Sequence, residues 1–312
     1  LALESLARQT LDALAFEVLV IDNGSRDATV EVCRASAVRL GNLRYFLAPE
    51  PGLHVGRHRG MREAKGDILV FADDDIEAFP SWLESIQEVF TDPSVAMAGG
   101  NNLPKFLETP PDWLACLWRQ PRKHGLRAIP ALSVIEFPLR RGEISPYQVW
   151  GCNFTIRKEV LLAAGGFHPD GMPKELLRLR GDGETHVSRH VAESGLKCVF
   201  HAGASICHLV TPDRMTFTYF RQRGFNQGVS DSYTVLRDLH LHGRLLEAAR
   251  LELRKLARRF YRSLRGYGVR DAKARHALRE LEEGHAEGYA YHQQLFRTDP
   301  EVRAWVLKED YL

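Results

Sequence analysis

Three consecutive acids, Asp73, Asp74 and Asp75, follow directly on an apolar run at residues 68–72. Adjacent carboxylates repel one another, and a divalent cation relieves that repulsion. Because side chains alternate along an extended chain, we expect Asp73 and Asp75 to point one way and Asp74 the other. Carboxylates completed by phosphate oxygens are the usual ligands of Mg²⁺ or Mn²⁺ on a nucleotide. The acids therefore predict either a metal-nucleotide site or a solvated acidic turn that caps the next helix.

The apolar run before the acids is short and rich in β-branched and aromatic residues, which is typical of a strand buried on both faces. A similar strand at residues 16–21 ends at Asp22, and a third candidate lies at residues 44–47. Helical patterns alternate with these strands and predict an α/β fold, with a mostly parallel central sheet flanked by helices. Ligands bind at the carboxyl edge of such a sheet, so Asp22, Arg57 and the acids should converge there.

The composition excludes several classes of protein. The chain has 312 residues, 44% of them hydrophobic, so it can bury a large core. Lysine and arginine number 42 against 40 acids, which names no polyanionic partner, and no nucleic-acid-binding motif is present. Five cysteines without paired spacing favour a reducing compartment. No stretch reaches the ~20 apolar residues of a membrane span and no signal peptide is visible, so we expect a cytoplasmic protein, with peripheral contact at the inner face of the membrane left open.

Several motifs taken together resemble those of the family 2 glycosyltransferases. The resemblance covers about residues 1–233 and implies a GT-A fold that takes a nucleotide sugar and transfers the sugar with inversion. In the donor half the matching motifs are FEVLVIDNGS at 16–25, GRHRG at 56–60, and FADDD at 71–75 with Pro80 beyond it. In the acceptor half they are WGCNFTIR at 150–157, GGF at 165–167, GDGET at 181–185 and CH at 207–208.

This resemblance implies a divalent metal, Mn²⁺ or Mg²⁺, as cofactor. Asp75 is then the first metal ligand, and Asp73 or Asp74 reaches the ribose or the water shell of the metal. His208 would complete the contacts to the metal or the diphosphate, since imidazole ligates Mn²⁺ readily. Without the resemblance, a lone histidine such as His208 is more often an ordinary surface or core residue than a ligand.

The general base implied by the resemblance is Glu184, with Asp182 in reserve. Glu184 matches the family's catalytic acid at the start of a helix over residues 185–194. The dipole of a helix N-terminus favours the ionised carboxylate, which keeps such a group ready to accept a proton. Either acid could instead do no more than cap that helix.

Further residues are assigned to the nucleotide sugar by the same resemblance, each with a structural alternative. Asp22 would accept an N–H of a uracil-like base or cap the next helix, and Arg57 would bind a phosphate or pair with Asp67 or Glu63. The family usually has Asn where His58 stands, so His58 has no transferable role. The remaining nucleotide-sugar candidates are Asn23 in the turn after Asp22, Trp150 as a stacking platform or core residue, Asn153 on donor hydroxyls, and Arg221 or Arg223 on the diphosphate.

We divide the chain into a catalytic domain at residues 1–235, with a donor half to 103 and an acceptor half from 104, and a helical extension at 236–312. The segment 104–146 is expected to be an irregular, partly helical insertion. A basic amphipathic stretch at 244–265 could lie on an anionic membrane, pack on the catalytic domain or join two subunits. A second helix at 272–294 should fold against it. The family's opening strand does not precede Leu1, so we expect a further N-terminal segment.

The sequence as a whole predicts a metal-dependent inverting glycosyltransferase. Its donor would be a nucleotide diphosphate sugar, with a UDP-sugar favoured, and its acceptor a glycan, a lipid-linked molecule or a small molecule. One rival is a catalytically silent sugar-nucleotide-binding or scaffold protein. Another is a nucleotidyltransferase, which would need a glycine-rich loop with a lysine early in the chain, and the sequence shows none.

Overall fold

The computed structural model describes residues 1–241, 243 and 268–312, which fold into alternating helices and strands. The helices in these residues are α1 (Ala2–Leu6), α2 (Thr29–Ser36), α3 (Leu53–Glu63), α4 (Trp82–Val89), α5 (Asp112–Arg119), α6 (Lys158–Ala163), α7 (Glu184–Glu193), α8 (Phe217–His240), α9 (Ala272–Thr298) and α10 (Pro300–Val306). The strands are β1 (Val18–Asp22), β2 (Leu43–Leu47), β3 (Ile68–Ala72), β4 (Ile76–Ala78), β5 (Val95–Gly99), β6 (Asn102–Phe106), β7 (Arg127–Ile129), β8 (Val134–Glu136), β9 (Arg141–Glu143), β10 (Asn153–Arg157), β11 (Lys197–His201) and β12 (Ile206–Val210).

The described strands form three sheets. Strands β1 and β2 pair in parallel, the second sheet has the order β3-β10-β5-β11-β9, and the third has the order β4-β12-β6-β8-β7. The predicted α/β class is confirmed, but the sheets are mixed rather than mostly parallel. The reason is that β10 lies antiparallel between β3 and β5, and that β4, β8 and β9 also pair antiparallel with their neighbours.

Strand β3, which delivers the acids, is less buried than its apolar sequence predicts. Leu69 is buried, whereas Ile68, Val70 and Phe71 are only half-buried. In the part of the chain that the structure describes, β3 has one pairing partner, β10, so its other edge carries no strand. A strand is fully enclosed only when strands pair with both of its edges and other elements cover both of its faces. In the described residues β3 has a strand on one edge alone.

The segment 104–146 is more regular than the irregular insertion that we predicted. It contains α5 and the short strands β7, β8 and β9. Trp113 and Leu114 of α5 pack in one buried cluster with Leu132 and with Ala274 and Ala277 of α9. This segment and the C-terminal helices therefore share a hydrophobic core.

Helices α8 and α9 run side by side in parallel with their backbones in contact. A Cβ on Gly224 would lie 2.1 Å from the carbonyl oxygen of Leu281, and one on Gly228 would lie 2.1 Å from that of His285. Only glycine permits this approach. Our predicted helix at 272–294 is confirmed as α9, whereas the basic stretch at 244–265 lies outside the described residues. Helix α8 continues without a break through residue 235, where we had placed a domain boundary.

The last residues of the chain close over the catalytic half. The indole N–H of Trp305 donates to the carbonyl oxygen of Leu179 at 2.7 Å, and the Tyr233 hydroxyl bonds the Tyr311 hydroxyl at 2.9 Å. All five cysteines carry free thiols, as expected. None of the described helices is both long and apolar enough to cross a bilayer.

Candidate active site

Asp73, Asp75 and His208 form a cluster at the end of β3. Strand β12 pairs antiparallel with β4, and its register places His208 opposite Ile76, one residue beyond Asp75. One ligand atom from each of the three side chains lies within 4.8 Å of the others. Asp74 is exposed, in keeping with the predicted alternation of the acids. The pairing of β12 with β4 thus brings two carboxylates and an imidazole together, and this set of donor atoms suits Mn²⁺ or Mg²⁺.

Two details of this cluster fit a cation. Oδ1 of Asp75 is buried and accepts no hydrogen bond from the described residues. Nδ1 of His208 lies 2.9 Å from the carbonyl oxygen of Leu132 and donates to it, which directs Nε2 towards Oδ1 of Asp75, 3.2 Å away. A carboxylate oxygen and an imidazole nitrogen placed in this way can both ligate a divalent cation.

The two acids differ in their protonation tendencies. Burial raises the pKa of Asp73, an effect that the nearby charge of Arg57 opposes. Burial also acts to raise the pKa of Asp75, but the imidazole of His208 and the guanidinium of Arg214 outweigh it, so that this pKa lies below its ordinary value. Asp75 is therefore the acid that is held ionised and ready to act as a ligand.

Arg214 is a site residue that our sequence analysis did not single out. Its guanidinium lies 2.8 Å from Oδ2 of Asp75, and it also donates to the carbonyl oxygen of Leu209 at 3.3 Å. One feature could have indicated Arg214 as a site residue, namely its position shortly after His208, in the helical turn Pro212–Met215. We had looked for a cation further along, at Arg221 and Arg223.

Glu184 lies at the first turn of α7 and is held by two groups from distant parts of the chain. Its Oε1 accepts the backbone N–H of Gly151 at 3.2 Å, and its Oε2 lies 3.4 Å from the guanidinium of Arg57. A Cβ on Gly151 would lie 2.3 Å from Arg57, so the glycine is what lets these groups meet. Arg57 is 7% exposed and lies over the ring of Phe167 at 5.0 Å. It pairs with neither Asp67 nor Glu63, the partners that we had considered.

The Glu184 pair and the Asp73–Asp75–His208 cluster border the same space. The charges of Arg57 and Glu184 both act on the protonation of Asp73. The buried thiol of Cys152 is influenced by Asp73, Asp75 and Glu184 together, and burial raises its pKa well above the ordinary value. The register of β3 and β10 sets Asn153 opposite Ala72, so Gly151, which holds Glu184, lies at the same end of these strands as the acids. The candidate cation site and the oriented carboxylate are therefore neighbours.

Asp182, the reserve base, is enclosed. Its Oδ1 lies 2.6 Å from Nδ1 of His168, and its Oδ2 accepts the hydroxyl of Thr234 at 2.7 Å. Burial opposes its ionisation, but His168 and Thr234 lower its pKa far below the ordinary value. A carboxylate with such a low pKa and both oxygens engaged is a poor proton acceptor.

Asp22 and Asn23 organise the turn that follows β1. Oδ1 of Asp22 accepts the backbone N–H groups of Gly24 and Ser25 at 3.0 and 2.7 Å, and Oδ2 accepts the hydroxyl of Tyr45 at 2.6 Å. The amide of Asn23 donates to the carbonyl oxygens of residues 48 and 50. Asp22 thus holds the turn and does not cap α2, whose N-cap is Ala28, so the capping alternative is wrong. Contact of Asp22 with a base stays a prediction.

Asn153 and Arg221 do not have the surroundings that we predicted. Asn153 is 2% exposed, its oxygen accepts from the indole of Trp82, and its amide nitrogen donates to Asn102 and to the carbonyl oxygen of Ala204, so both of its N–H groups are used inside the protein. Arg221 pairs with three carboxylates of α9, Glu280, Glu283 and Glu287. In both cases the side chain is used in packing one element on another.

Trp150 and Arg223 are both half-buried. The indole N–H of Trp150 donates to the carbonyl oxygen of Tyr147 at 3.2 Å, and its ring packs against a cluster that includes Phe137 and Phe200. Stacking of Trp150 on a sugar and binding of a diphosphate by Arg223 stay predictions.

Acids after a strand, a histidine on a neighbouring strand and a carboxylate at a helix N-terminus are the features that the glycosyltransferase motifs predicted. Residues 1–142 match glycosyl transferase family 2. The resemblance that the motifs predicted is therefore confirmed over this part of the chain.

Relatives and solved structures of the same class are similar to the chain. It is 34% identical to glycosyltransferase AglE of Haloferax volcanii over 100 residues, which are 32% of this chain and 33% of that protein. It is 32% identical to the uncharacterized glycosyltransferase YibD of Escherichia coli over 169 residues, 54% of this chain and 48% of YibD. The mannosyltransferase PcManGT of Pyrobaculum calidifontis, solved with GDP-Man and Mn²⁺, aligns with a TM-score of 0.49 at 16% identity, over 97% of this chain and 77% of that one. The chain spans a third to a half of the length of these two curated relatives.

Proposed function

We propose that this chain transfers a sugar from a nucleoside diphosphate sugar to an acceptor hydroxyl with inversion at the anomeric carbon. The observation that carries the proposal is the cluster of Asp73, Asp75 and His208, in which the buried Oδ1 of Asp75 makes no hydrogen bond to the described residues and lies 3.2 Å from Nε2 of His208. Next to it, Glu184 is oriented but retains the capacity to accept a proton. A ligand site for a cation beside a proton acceptor is what this reaction requires.

Asp75, Asp73 and His208 would hold the cation, which when bound neutralises charge on the departing diphosphate. The residues of the chain supply the remaining requirements. The N–H of Gly151 and the guanidinium of Arg57 fix the direction of the Glu184 carboxylate. Burial of Arg57 beneath Phe167 keeps this pair in a fixed geometry.

In the transfer, Glu184 takes the proton of the acceptor hydroxyl while the acceptor oxygen forms its bond to the anomeric carbon. The bond from that carbon to the diphosphate oxygen breaks in the same step, and the nucleoside diphosphate leaves. Attack from the face opposite the leaving group inverts the configuration. Glu184 is preferred to Asp182 as the base because its side chain is 24% exposed and its two contacts are long, at 3.2 and 3.4 Å. The side chain of Asp182 is 6% exposed and its two contacts are short, at 2.6 and 2.7 Å.

The donor that we favour is a UDP-sugar, with Asp22 and Asn23 near the base, and the acceptor is a glycan, a lipid-linked molecule or a small molecule. We retain residues 1–235 as the catalytic unit and 236–312 as a helical extension that contributes packing to it. Contact of that extension with a membrane surface or a second subunit is part of the same proposal.

Isothermal calorimetry with UDP, GDP and dTDP tests the donor site. The titrations are made with Mn²⁺ and with EDTA, on the wild type and on Asp75→Asn. We expect one nucleotide to bind in Mn²⁺, and its affinity to fall at least about ten-fold with EDTA or with the substitution, because each removes the cation. Turnover is then followed with the matching sugar nucleotides as release of nucleoside diphosphate.

Asp92→Asn is the matched control, since Asp92 is an exposed carboxylate paired with Lys197 at 3.2 Å. It should bind nucleotide as the wild type does. Nucleotide binding that is indifferent to EDTA and to Asp75→Asn would contradict the metal site. Tight metal-dependent binding with no turnover of any sugar nucleotide would favour a silent binding protein over an enzyme.

A further inference from the structure

The two carboxylate oxygens of Asp75 have different neighbours, and one of these neighbours is Arg214. Oδ1 faces Nε2 of His208 and the space beside Asp73. Oδ2 lies 2.8 Å from the guanidinium of Arg214. Arg214 thus occupies one of the two oxygens of the carboxylate that we assign as the first ligand of the cation.

The surroundings of Arg214 permit it to leave this position. Its side chain is 29% exposed and stands in a short helical turn at the surface. Its guanidinium also donates to the carbonyl oxygen of Leu209 across a long 3.3 Å, and Tyr219 and Asp213 lie near enough to act on its charge. By contrast, Arg57 is 7% exposed and is held by Glu184 and Phe167. Arg214 is therefore the less enclosed of these two arginines and the better able to change its partner.

We propose that Arg214 is the resident counter-ion of Asp75, and that it couples the binding of the cation to the binding of the nucleotide. Two positive charges beside one carboxylate repel, so Arg214 and the divalent cation compete for Asp75. A nucleoside diphosphate relieves the competition because its phosphates offer Arg214 another anion that suits the guanidinium. The cation alone then binds weakly, and the nucleotide strengthens its binding by releasing Arg214. This inference rests on the proposed metal and nucleotide site.

The test measures Mn²⁺ binding directly, by electron paramagnetic resonance of the free ion, with and without UDP. In the absence of nucleotide we expect Arg214→Gln to bind Mn²⁺ about five- to ten-fold more tightly than the wild type, since a competing positive charge is gone. The factor by which UDP tightens Mn²⁺ binding should shrink in the variant by a similar amount, because coupling between two ligands is reciprocal.

Arg214→Met is the second variant, and it should behave as Arg214→Gln if the charge is what matters. Arg141→Gln is the matched control, because Arg141 pairs with the exposed Glu88 and is far from the acids in sequence and sheet. Mn²⁺ binding in both Arg214 variants that is equal to or weaker than that of the wild type would overturn the inference. Absence of Mn²⁺ binding by the wild type even with UDP would instead overturn the proposed function.

Discussion

The chain contains an open cluster and a closed cluster of charged and titratable groups, and they differ in how far their polar atoms are satisfied. The open cluster is Asp73, Asp75, His208 and Glu184. The closed cluster is Asp182, His168, His186, His54 and His58, with Tyr311 packed on it. In the open cluster Oδ1 of the Asp75 carboxylate is without a hydrogen bond from the described residues, whereas in the closed cluster both oxygens of Asp182 are engaged. The closed cluster also has an unbonded atom, Nδ1 of His54, but burial lowers the pKa of that ring to about 4, and a neutral imidazole costs less to bury than a carboxylate.

The packing around the two clusters follows the same contrast. His168 stacks on His186 with ring centroids 3.7 Å apart, and Tyr311 meets His54 and His168 edge-on. The C-terminal residues therefore seal the closed cluster. A buried polar atom left without a partner is costly, and a fold tolerates it where a ligand will supply the partner. Function is thus expected in the open cluster and stability in the closed one.

The largest expected effect is on catalysis by the open cluster. Glu184→Gln should lower turnover about 10²- to 10⁴-fold, since the amide cannot accept the acceptor proton. Affinity for the nucleotide with Mn²⁺ should change little, because Glu184 is not among the three metal ligands. Steady-state turnover and calorimetry on the same preparation measure both quantities.

Glu159→Gln, at an exposed position on α6, is the control for this substitution. If Glu184→Gln kept turnover within a factor of a few of the wild type, Glu184 would not be the base. The assignment of catalysis to the open cluster would then be wrong, and Asp182 would have to be considered again as the base.

The next effect is on stability and concerns the closed cluster. Asp182→Ala should lower the free energy of unfolding by about 3–5 kcal/mol, because it leaves His168 and Thr234 buried without their partner. Asp75→Ala should change it by less than about 1 kcal/mol, since it removes a half-exposed pair with Arg214 and also the repulsion from Asp73. Urea unfolding at pH 7 measures both. Equal losses in the two variants would remove the contrast on which this assignment rests.

The site residues that could be predicted are those whose positions depend on where a strand ends or on a motif of neighbouring residues. Asp73 and Asp75 follow a strand, and His208 was assigned by a motif that ends the acceptor half, so their convergence follows from the fold class. Asp73 and Asp75 share one cluster and Asp74 is exposed, as alternation predicted, although residues 74 and 75 lie in a turn and not in an extended strand. These features depend on backbone geometry and hardly on the packing of particular side chains.

The part that could not be predicted depends on which side chains meet across the fold. Arg57 and Glu184 are 127 residues apart in the chain, and their contact requires a glycine at 151 on a third element. Arg221 was expected on a diphosphate but lies against α9, whose position no local pattern reveals. The antiparallel placement of β10 between β3 and β5 likewise comes from the path of the chain after residue 103.

The smallest expected effect is on the pH dependence of stability, and it again separates the clusters. Burial, together with the neighbouring His54 and Arg62, lowers the pKa of His58 to about 4, and Nε2 of His58 accepts the backbone N–H of Phe167 at 2.9 Å. The unfolded chain regains a pKa near 6.5, so between pH 6.5 and 4 it binds more protons than the folded chain. Stability contributed by the neutral ring is therefore complete above pH 6.5 and is lost as the pH falls towards 4.

His58→Gln tests this directly, because the glutamine oxygen can still accept from Phe167 but does not titrate. The slope of unfolding free energy against pH between 6 and 4.5 should become shallower by about 1.4 kcal/mol per pH unit, the contribution of one proton. Urea unfolding at half-unit steps of pH measures it, with His276→Gln on the exposed side of α9 as the control. His54 and His186, whose pKa values burial also lowers to about 4, continue to titrate in the variant, so part of the slope must remain. An unchanged slope in His58→Gln would mean that water reaches this ring, and that the C-terminal residues do not seal the closed cluster.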